Sequence, residues 1–223
     1  MRDMFDFHTH TLISDGDLIP AESVRRAEMS GYRILGFADH ADLATLPAQM
    51  GVIIAAARAE NRSGSGMTVL PGAEVTHVRP GQIGEAVRLA RELGAAFVVV
   101  HGETLSEPVS PGTNRAAIEA GADILAHPGL ITRDEVKLAA ERGVMLEISG
   151  KRGHCLANGH VARLAREYGA MTLFGSDSHT AGEMPVRDVA ERICLAAGLD
   201  QEDVDAMFAR AEVFGRKIGT AWQ

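Results

Sequence analysis

Short apolar runs that end on a histidine, aspartate or glutamate recur along the whole chain, and helical patterns separate them. The first run covers residues 4–10 and reads MFDFHTH. Because side chains alternate along a strand with a period of two, His8 and His10 project from the same face. An isolated pair of this kind would be a solvated strand end. Because apolar runs that end on such residues recur along the chain, the pattern instead indicates a place where many polar side chains meet.

The alternation predicts seven strands with helices between them. The strands are expected at residues 4–10, 33–38, 68–75, 95–100, 123–126, 144–148 and 171–175. The helices are expected at residues 20–30, within 43–62, and at 81–93, 115–120, 132–143, 161–168, 187–197 and 201–218. Strands that alternate with helices imply a parallel sheet with right-handed crossovers. A Pro71-Gly72 pair inside the third strand predicts a kink or bulge near Glu74.

The polar residues at the strand ends favour a closed sheet over a doubly wound open one. They are His8 and His10, His40, Glu74, His101, His127, Glu147, and Asp177 with His179. In a closed barrel all carboxyl ends of the strands face one mouth, whereas in an open sheet only the residues near the crossover point meet. We therefore expect an α/β fold, a distorted (β/α)7 TIM-like barrel, with residues 1–223 forming one domain.

Composition narrows the class of protein. The 223 residues are 46% hydrophobic and 23% charged, as in an ordinary globular protein. No apolar run approaches the ~20 residues of a membrane span, and the first residues predict no signal peptide. Cys155 and Cys194 form no disulfide or zinc pattern, so a reducing cytoplasm is the expected location. A net charge of −8 without a basic run argues against an extended nucleic-acid track.

Metal binding is the chemistry that these side chains suggest. The nine candidate ligands are His8, His10, Asp15, His40, Glu74, His101, His127, Asp177 and His179. Imidazoles and carboxylates without thiolates suit zinc, manganese or iron. So many ligands exceed the needs of one ion, which predicts two or three divalent ions with shared carboxylates. Taken alone, Asp15 in its Asp-Gly loop would be only a turn residue.

Clustered divalent ions favour phosphoester hydrolysis. They lower the pKa of bound water toward ~7 and neutralise an anionic substrate. The expected reaction is attack of metal-bound hydroxide on a phosphoester, with a small phosphorylated molecule as the partner. Lys151 and Arg152, in a long loop at residues 149–158, are candidates for holding the phosphate. A solvated basic pair is an equally good reading of them.

The motifs resemble those of one known family. His8-Thr9-His10-Thr11, with Ser14-Asp15-Gly16 after two further residues, resembles the opening motif of the PHP (polymerase and histidinol phosphatase) family. The later motifs match in order, from about residue 4 to about residue 190: Asp39-His40, Gly72-Ala73-Glu74, Val100-His101, Ala126-His127-Pro128 and Gly175-Ser176-Asp177-Ser178-His179. Each motif alone is weak evidence, but the ordered set is specific.

The resemblance implies a PHP-type barrel with a trinuclear centre at its mouth. His8, His10, Glu74 and Asp177 would hold one ion, bridging Glu74 with His101 and His127 a second, and Asp15, His40 and His179 the third. Glu74, Asp177 and His179 would carry catalysis. Glu147 matches a family position that is not a ligand, and we expect it to fix a neighbouring loop. Of the histidines outside the pattern, His154 is a candidate to line the substrate pocket, and His160 is expected at the surface.

Two other functions remain open. A metal-dependent amidohydrolase also opens with His-x-His, but a lysine at a strand end typically bridges its metals, and none of the predicted strands ends on one. A non-catalytic, metal-stabilised interaction module is the second. The substrate also stays open among histidinol phosphate, other small phosphomonoesters and nucleotide ends. The loops 102–114 and 149–158 must select it. The oligomeric state stays open too.

Overall fold

The strands of the computed structural model, which describes residues 2–64 and 66–222, form one parallel sheet. The strands are β1 (Met4–Thr9), β2 (Tyr32–Phe37), β3 (His40–Ala41), β4 (Thr68–Val75), β5 (Phe97–His101), β6 (Ile124–Ala126), β7 (Met145–Ser149) and β8 (Thr172–Gly175). Their order across the sheet is β1-β2-β4-β5-β6-β7-β8. The two-residue β3 lies outside this order and pairs with the end of β4, past the residues of β4 that pair with β2. The predicted strands are all present. The short β3 was not predicted, and it places His40 opposite Glu74.

The helices lie where the sequence pattern predicted them. They are α1 (Pro20–Met29), α2 (Leu46–Arg62), α3 (Pro80–Glu92), α4 (Thr113–Glu119), α5 (Arg133–Arg142), α6 (Asn158–Tyr168), α7 (Arg187–Ala196) and α8 (Gln201–Trp222). The prediction of a loop at residues 149–158 was wrong in part, because this segment contains a 3-10 helix, His154–Ala157. A second 3-10 helix covers Ala181–Glu183. Across residues 2–64 and 66–222, no helix has the length and apolarity to span a membrane.

The sheet closes between β1 and β8 through few bonds. A single bridge joins Thr9 to Ser178, and the N–H of Asp177 donates to the carbonyl of His8 at 2.8 Å. The buried Asp6 carboxylate adds to this seam by accepting the N–H groups of His8 (3.1 Å) and Ser176 (3.2 Å). The result is the expected distorted barrel, in which the seam joins β1, which carries His8, to the segment after β8, which carries Asp177 and His179.

The Pro71-Gly72 pair does not make a bulge. The β4 register runs without a break against β2 up to Pro71 and against β5 from Gly72 onward. The glycine is required by packing, because a Cβ at position 72 would lie 2.3 Å from the Phe97 ring. The same ring excludes a side chain at Gly36, at 2.6 Å. The bulge predicted near Glu74 was therefore wrong. The irregular register lies in the β1–β2 pair instead.

Candidate metal centre

All nine predicted ligand residues meet at the carboxyl ends of the strands. His8, His40, Glu74 and His101 lie on β1, β3, β4 and β5, while His10, Asp15, His127, Asp177 and His179 lie in the loops that follow β1, β6 and β8. Most of these side chains are buried. The Asp15 side chain is 55% exposed and marks the open side of the cluster.

The fully buried Glu74 carboxylate lies at the centre of the cluster. Its Oε1 atom is 3.1 Å from Nδ1 of His101, 3.4 Å from Nε2 of His8 and 3.8 Å from Nε2 of His127. Its Oε2 atom is 2.5 Å from Nδ1 of His40 and 3.7 Å from Nε2 of His10. One carboxylate thus faces five imidazoles, which is the position that a bridging ligand requires.

Asp177 faces the same histidines from the β8 side. Its Oδ1 atom is 3.1 Å from Nε2 of His10 and 3.8 Å from Nε2 of His8, and its Oδ2 atom is 3.8 Å from Nε2 of His127. Asp177 and His127 both have positive φ angles, 52° and 26°. Such a backbone costs on the order of 1 kcal/mol for residues other than glycine and is common at functional sites. Here it turns both side chains into the cluster.

A more exposed group adjoins this buried one. Asp15 Oδ1 lies 3.3 Å from Nε2 of His179 and 3.6 Å from Nε2 of His40. The His10 ring stacks on His179 with centroids 4.1 Å apart, so His10 lies between the two groups. The loop that carries Asp15 is held by the buried Asp39 carboxylate, which accepts the N–H groups of Thr11 (2.8 Å) and Ser14 (3.1 Å).

The buried donor atoms fit divalent ions. Among the described residues, several buried nitrogen and oxygen atoms of the cluster make no hydrogen bond: His8 Nε2, both His10 nitrogens, Glu74 Oε2, His101 Nε2, both His127 nitrogens and Asp177 Oδ1. Unpaired buried polar atoms are rare in proteins, and each calls for an explanation. Imidazole and carboxylate lone pairs that converge without partners are the donor set that zinc, manganese or iron binds.

The electrostatics of the cluster also fit divalent ions. Burial opposes a charge on His8, but the carboxylates of Glu147, Glu74 and Asp177 outweigh it and raise the pKa of His8 well above its ordinary value. Burial, aided by neighbouring histidines, lowers the pKa of His10 and His127. Without a cation, some rings must therefore carry protons to balance the carboxylates. Metal ions would supply that positive charge instead.

Glu147 contacts a candidate ligand rather than a loop. Its Oε2 atom lies 2.5 Å from Nδ1 of His8 in a buried hydrogen bond. The expectation that Glu147 fixes a neighbouring loop was wrong, because β7 directs its side chain to the ring on β1. A carboxylate that accepts Nδ1–H leaves the Nε2 lone pair of His8 for a metal, an arrangement common in metalloproteins.

The predicted substrate residues lie at the edge of the centre. Nζ of Lys151 is 3.0 Å from Glu183 and 3.0 Å from Nδ1 of His179. Arg152 is exposed and forms no ion pair with any described residue. His154 is buried and stacks on His127 with centroids 4.1 Å apart. Its Nδ1 is 2.6 Å from the Thr104 hydroxyl and its Nε2 is 3.7 Å from Oδ2 of Asp177.

Sequence reasoning placed His77 outside the ligand pattern and overlooked Glu107. Glu107, in the 102–114 loop, lies 3.2 Å from Nε2 of His101, 3.1 Å from Nε2 of His77 and 3.3 Å from Nε2 of His154. The nearby His101 ring outweighs the effect of burial and lowers the pKa of Glu107 to about 2. The length of the loop was the only signal, since long loops in compact domains are often functional.

His160 is not at the surface as expected. It is half-buried, and its Nε2–H donates to the carbonyl of Ile131 at 2.7 Å. The helix face that it occupies packs on the loop after β6, which the helical pattern alone did not reveal.

The chain has relatives of known sequence along most of its length. It is 40% identical over 202 residues to the uncharacterized protein MJ1295 of Methanocaldococcus jannaschii, covering 90% of this chain and 93% of that protein. It is 30% identical over 202 residues to the probable phosphatase Shewana3_2794 of Shewanella sp. strain ANA-3, covering 79% of this chain and 76% of that protein. No protein-family model matches the chain.

Solved structures share the barrel. The histidinol phosphate phosphatase of Lactococcus lactis, solved with zinc, L-histidinol and phosphate, superposes with a TM-score of 0.61 at 16% identity, covering 89% of this chain and 95% of that one. An amidohydrolase superposes with a TM-score of 0.60 at 13% identity, covering 95% and 74%. At these identities the likeness shows the fold alone.

Proposed function

The chain belongs to the family of MJ1295 and the probable phosphatase Shewana3_2794, and we propose from this relationship that it is a metal-dependent phosphatase of the PHP type. The observation that carries the proposal is the set of buried imidazole and carboxylate atoms that converge on Glu74 without hydrogen-bond partners. The proposal takes residues 1–223 as one PHP-type barrel domain and a small phosphomonoester as the substrate.

The proposed ligand sets follow the contacts around the two central carboxylates. His8, His10, Glu74 and Asp177 would hold one ion, Glu74, His101 and His127 a second, and Asp15, His40 and His179 a third. When bound, such ions supply a nucleophile at neutral pH and neutralise the charge of a phosphate group. The short distances from Glu74 to members of all three sets support its bridging role.

Three further side chains would bind and orient the phosphate. Thr104 accepts the N–H of Ser106 at 3.3 Å, so its hydroxyl is available to donate to Nδ1 of His154. The proton of His154 then resides on Nε2, where it can donate to a phosphate oxygen. Arg152, which has no ion-pair partner among the described residues, can take a phosphate in a bidentate way. Lys151 adds a positive charge beside His179.

An amidohydrolase is the second candidate, because barrels of that class share the fold. The bridging lysine typical of that class has no counterpart at the described strand ends, where Glu74 occupies the centre. The phosphatase relatives also favour phosphoester hydrolysis.

One screen tests the proposal. Purified full-length protein would be loaded with manganese or zinc, its metal content measured, and phosphate release followed with phosphomonoesters, phosphodiesters and amides. We expect chelator-sensitive phosphate release from at least one phosphomonoester. Amide turnover instead would support the amidohydrolase, and bound metal without turnover of any substrate would support the interaction module.

A further inference from the structure

A cavity of about 580 Å³ lies beside the candidate metal centre, on the mouth side of the barrel. Its lining includes the polar side chains of Lys151, Arg152, Ser176 and Glu183, and an apolar part, here called the apolar wall, formed by Met184, Val186, Val189 and Ile193. We propose that this side cavity binds the leaving group of the phosphoester, and that this group is apolar and about the size of one ring. The inference rests on the proposed phosphatase function.

The side cavity and the metal centre share Lys151. Its Nζ atom lies 3.0 Å from the ring of His179, a proposed ligand, and its side chain also lines the cavity. A phosphate held at the metals and contacted by Arg152 would therefore lie at the entrance of the cavity. In an in-line displacement the leaving group points away from the attacking oxygen, so it must find space beyond the phosphate.

The apolar wall of the side cavity indicates what kind of leaving group fits there. Val189 exposes 42% of its surface, and Val186 is only half-buried. Neither valine belongs to the apolar core or to the side chains packed against it. Exposed aliphatic side chains beside a polar site are typical of ligand pockets, which usually measure about 300–1,000 Å³. A ring or branched alkyl group fits this wall better than a charged one.

The opposite side of the mouth offers a different environment. There, Glu107 and His77 form a polar, partly exposed pair near His101. A polar or cationic leaving group would bind on that side. Binding in the side cavity predicts a preference for an apolar leaving group, whereas binding near Glu107 and His77 predicts a preference for a polar or cationic one. A pair of simple esters can distinguish these preferences.

The experiment compares benzyl phosphate with ethyl phosphate, whose alcohol leaving groups have similar acidity, on metal-loaded full-length protein. Burial of the ring should raise kcat/KM for the benzyl ester at least about 10-fold over the ethyl ester. Val189→Glu places a carboxylate on the apolar wall and should reduce that ratio to about 2-fold or less, chiefly through KM for the benzyl ester. Val189→Ser is the milder second variant and should reduce the ratio in the same direction.

Leu195→Glu is the matched control, because Leu195 is 40% exposed on the same helix and does not line the cavity. Leu195→Glu should leave the ratio of kcat/KM for benzyl phosphate to that for ethyl phosphate unchanged. Equal turnover of both esters, or a benzyl preference that survives both Val189 variants, would overturn the proposal that the side cavity binds the leaving group. Either result would leave the proposed phosphatase function standing. Absence of turnover of either ester and of every other phosphomonoester would overturn the phosphatase function itself and this inference with it.

Discussion

At the scale of single residues, the candidate centre depends on carboxylates in two kinds of position. Glu74 and Asp177 face the imidazoles from within the cluster, at 3.1 to 3.8 Å from several ring nitrogens. Glu147 holds a ring from the other side, through Nδ1 of His8. The two kinds should respond differently to substitution, because only the first would donate lone pairs directly to a bound metal.

Asp177→Asn should abolish activity by weakening one metal site. An amide oxygen is a poorer and uncharged ligand, so we expect a loss of more than about 100-fold in kcat/KM and a lower metal content. The measurements are phosphate release and metal analysis of the purified variant. Asp205→Asn, on an exposed face of α8, is the control. Near-normal activity with full metal content in Asp177→Asn would refute the assignment.

Glu147→Gln should lower metal affinity or activity about 10- to 100-fold without removing a ligand. The amide accepts the His8 N–H less strongly, so the ring is less basic and less firmly oriented. Metal titration with a competing chelator measures the affinity directly. The exposed Glu141→Gln on α5 is the matched control. Unchanged metal affinity in Glu147→Gln would show that the buried hydrogen bond is structural only.

At the scale of secondary-structure elements, β2, β4 and β5 are brought together by one aromatic ring. Phe97 covers Gly36 and Gly72, and its ring lies edge-on to Phe7 with centroids 5.7 Å apart. Glu74 and His101 lie farther along β4 and β5, so the packing of this ring sets the spacing of the strands that carry these two proposed ligands.

Gly72→Ala should destabilise the protein by about 1–3 kcal/mol, because the added Cβ would lie 2.3 Å from the Phe97 ring and overpack the core. Urea unfolding measures the change. Gly84→Ala is the matched control on the exposed part of α3, where an added Cβ meets nothing within 4 Å. It should stabilise the protein by about 0.5–1 kcal/mol through helix propensity. Equal effects of the two substitutions would contradict the packing role of Gly72.

At the scale of the whole molecule, we expect stability and metal loading to be coupled through protons. Burial opposes a charge on His101, but Glu74 and Glu107 outweigh it and raise its pKa from 6.5 to about 10. The pKa values of His8, His40 and His179 are raised as well. A histidine with a raised folded pKa stabilises the protein below its unfolded pKa, and this contribution is lost as pH rises through the folded pKa.

The metal-free protein should therefore lose stability as pH rises from about 6.5 toward 10, by on the order of 2 kcal/mol or more. Urea unfolding in the presence of a chelator, at several pH values in this window, measures the loss. Metal must displace these protons, so loading near pH 7 should release protons, which calorimetry in buffers of different ionisation enthalpy detects. A metal-free protein whose stability is constant or rises across this window would contradict the assigned protonation states.

The sequence alone predicted the barrel and the place where its polar side chains meet. The apolar runs have the period and length of buried strands, and each is followed by a ligand-type residue, so parallel geometry alone brings His8, His40, Glu74 and His101 to one edge. Loop residues were harder to predict. Glu107 was overlooked and His77 was given no role, because no local period relates a loop side chain to the strand end that it faces.

Contacts across the barrel were decided only by the tertiary structure. The partner of Glu147 is His8, far away in sequence, and the ring that excludes a side chain at Gly72 comes from another strand. The side cavity likewise forms only where the loops after β7 and β8 meet α7. Local periodicity determines which face of an element is apolar and where it ends. Pairings between distant elements depend on packing in three dimensions, which no local pattern encodes.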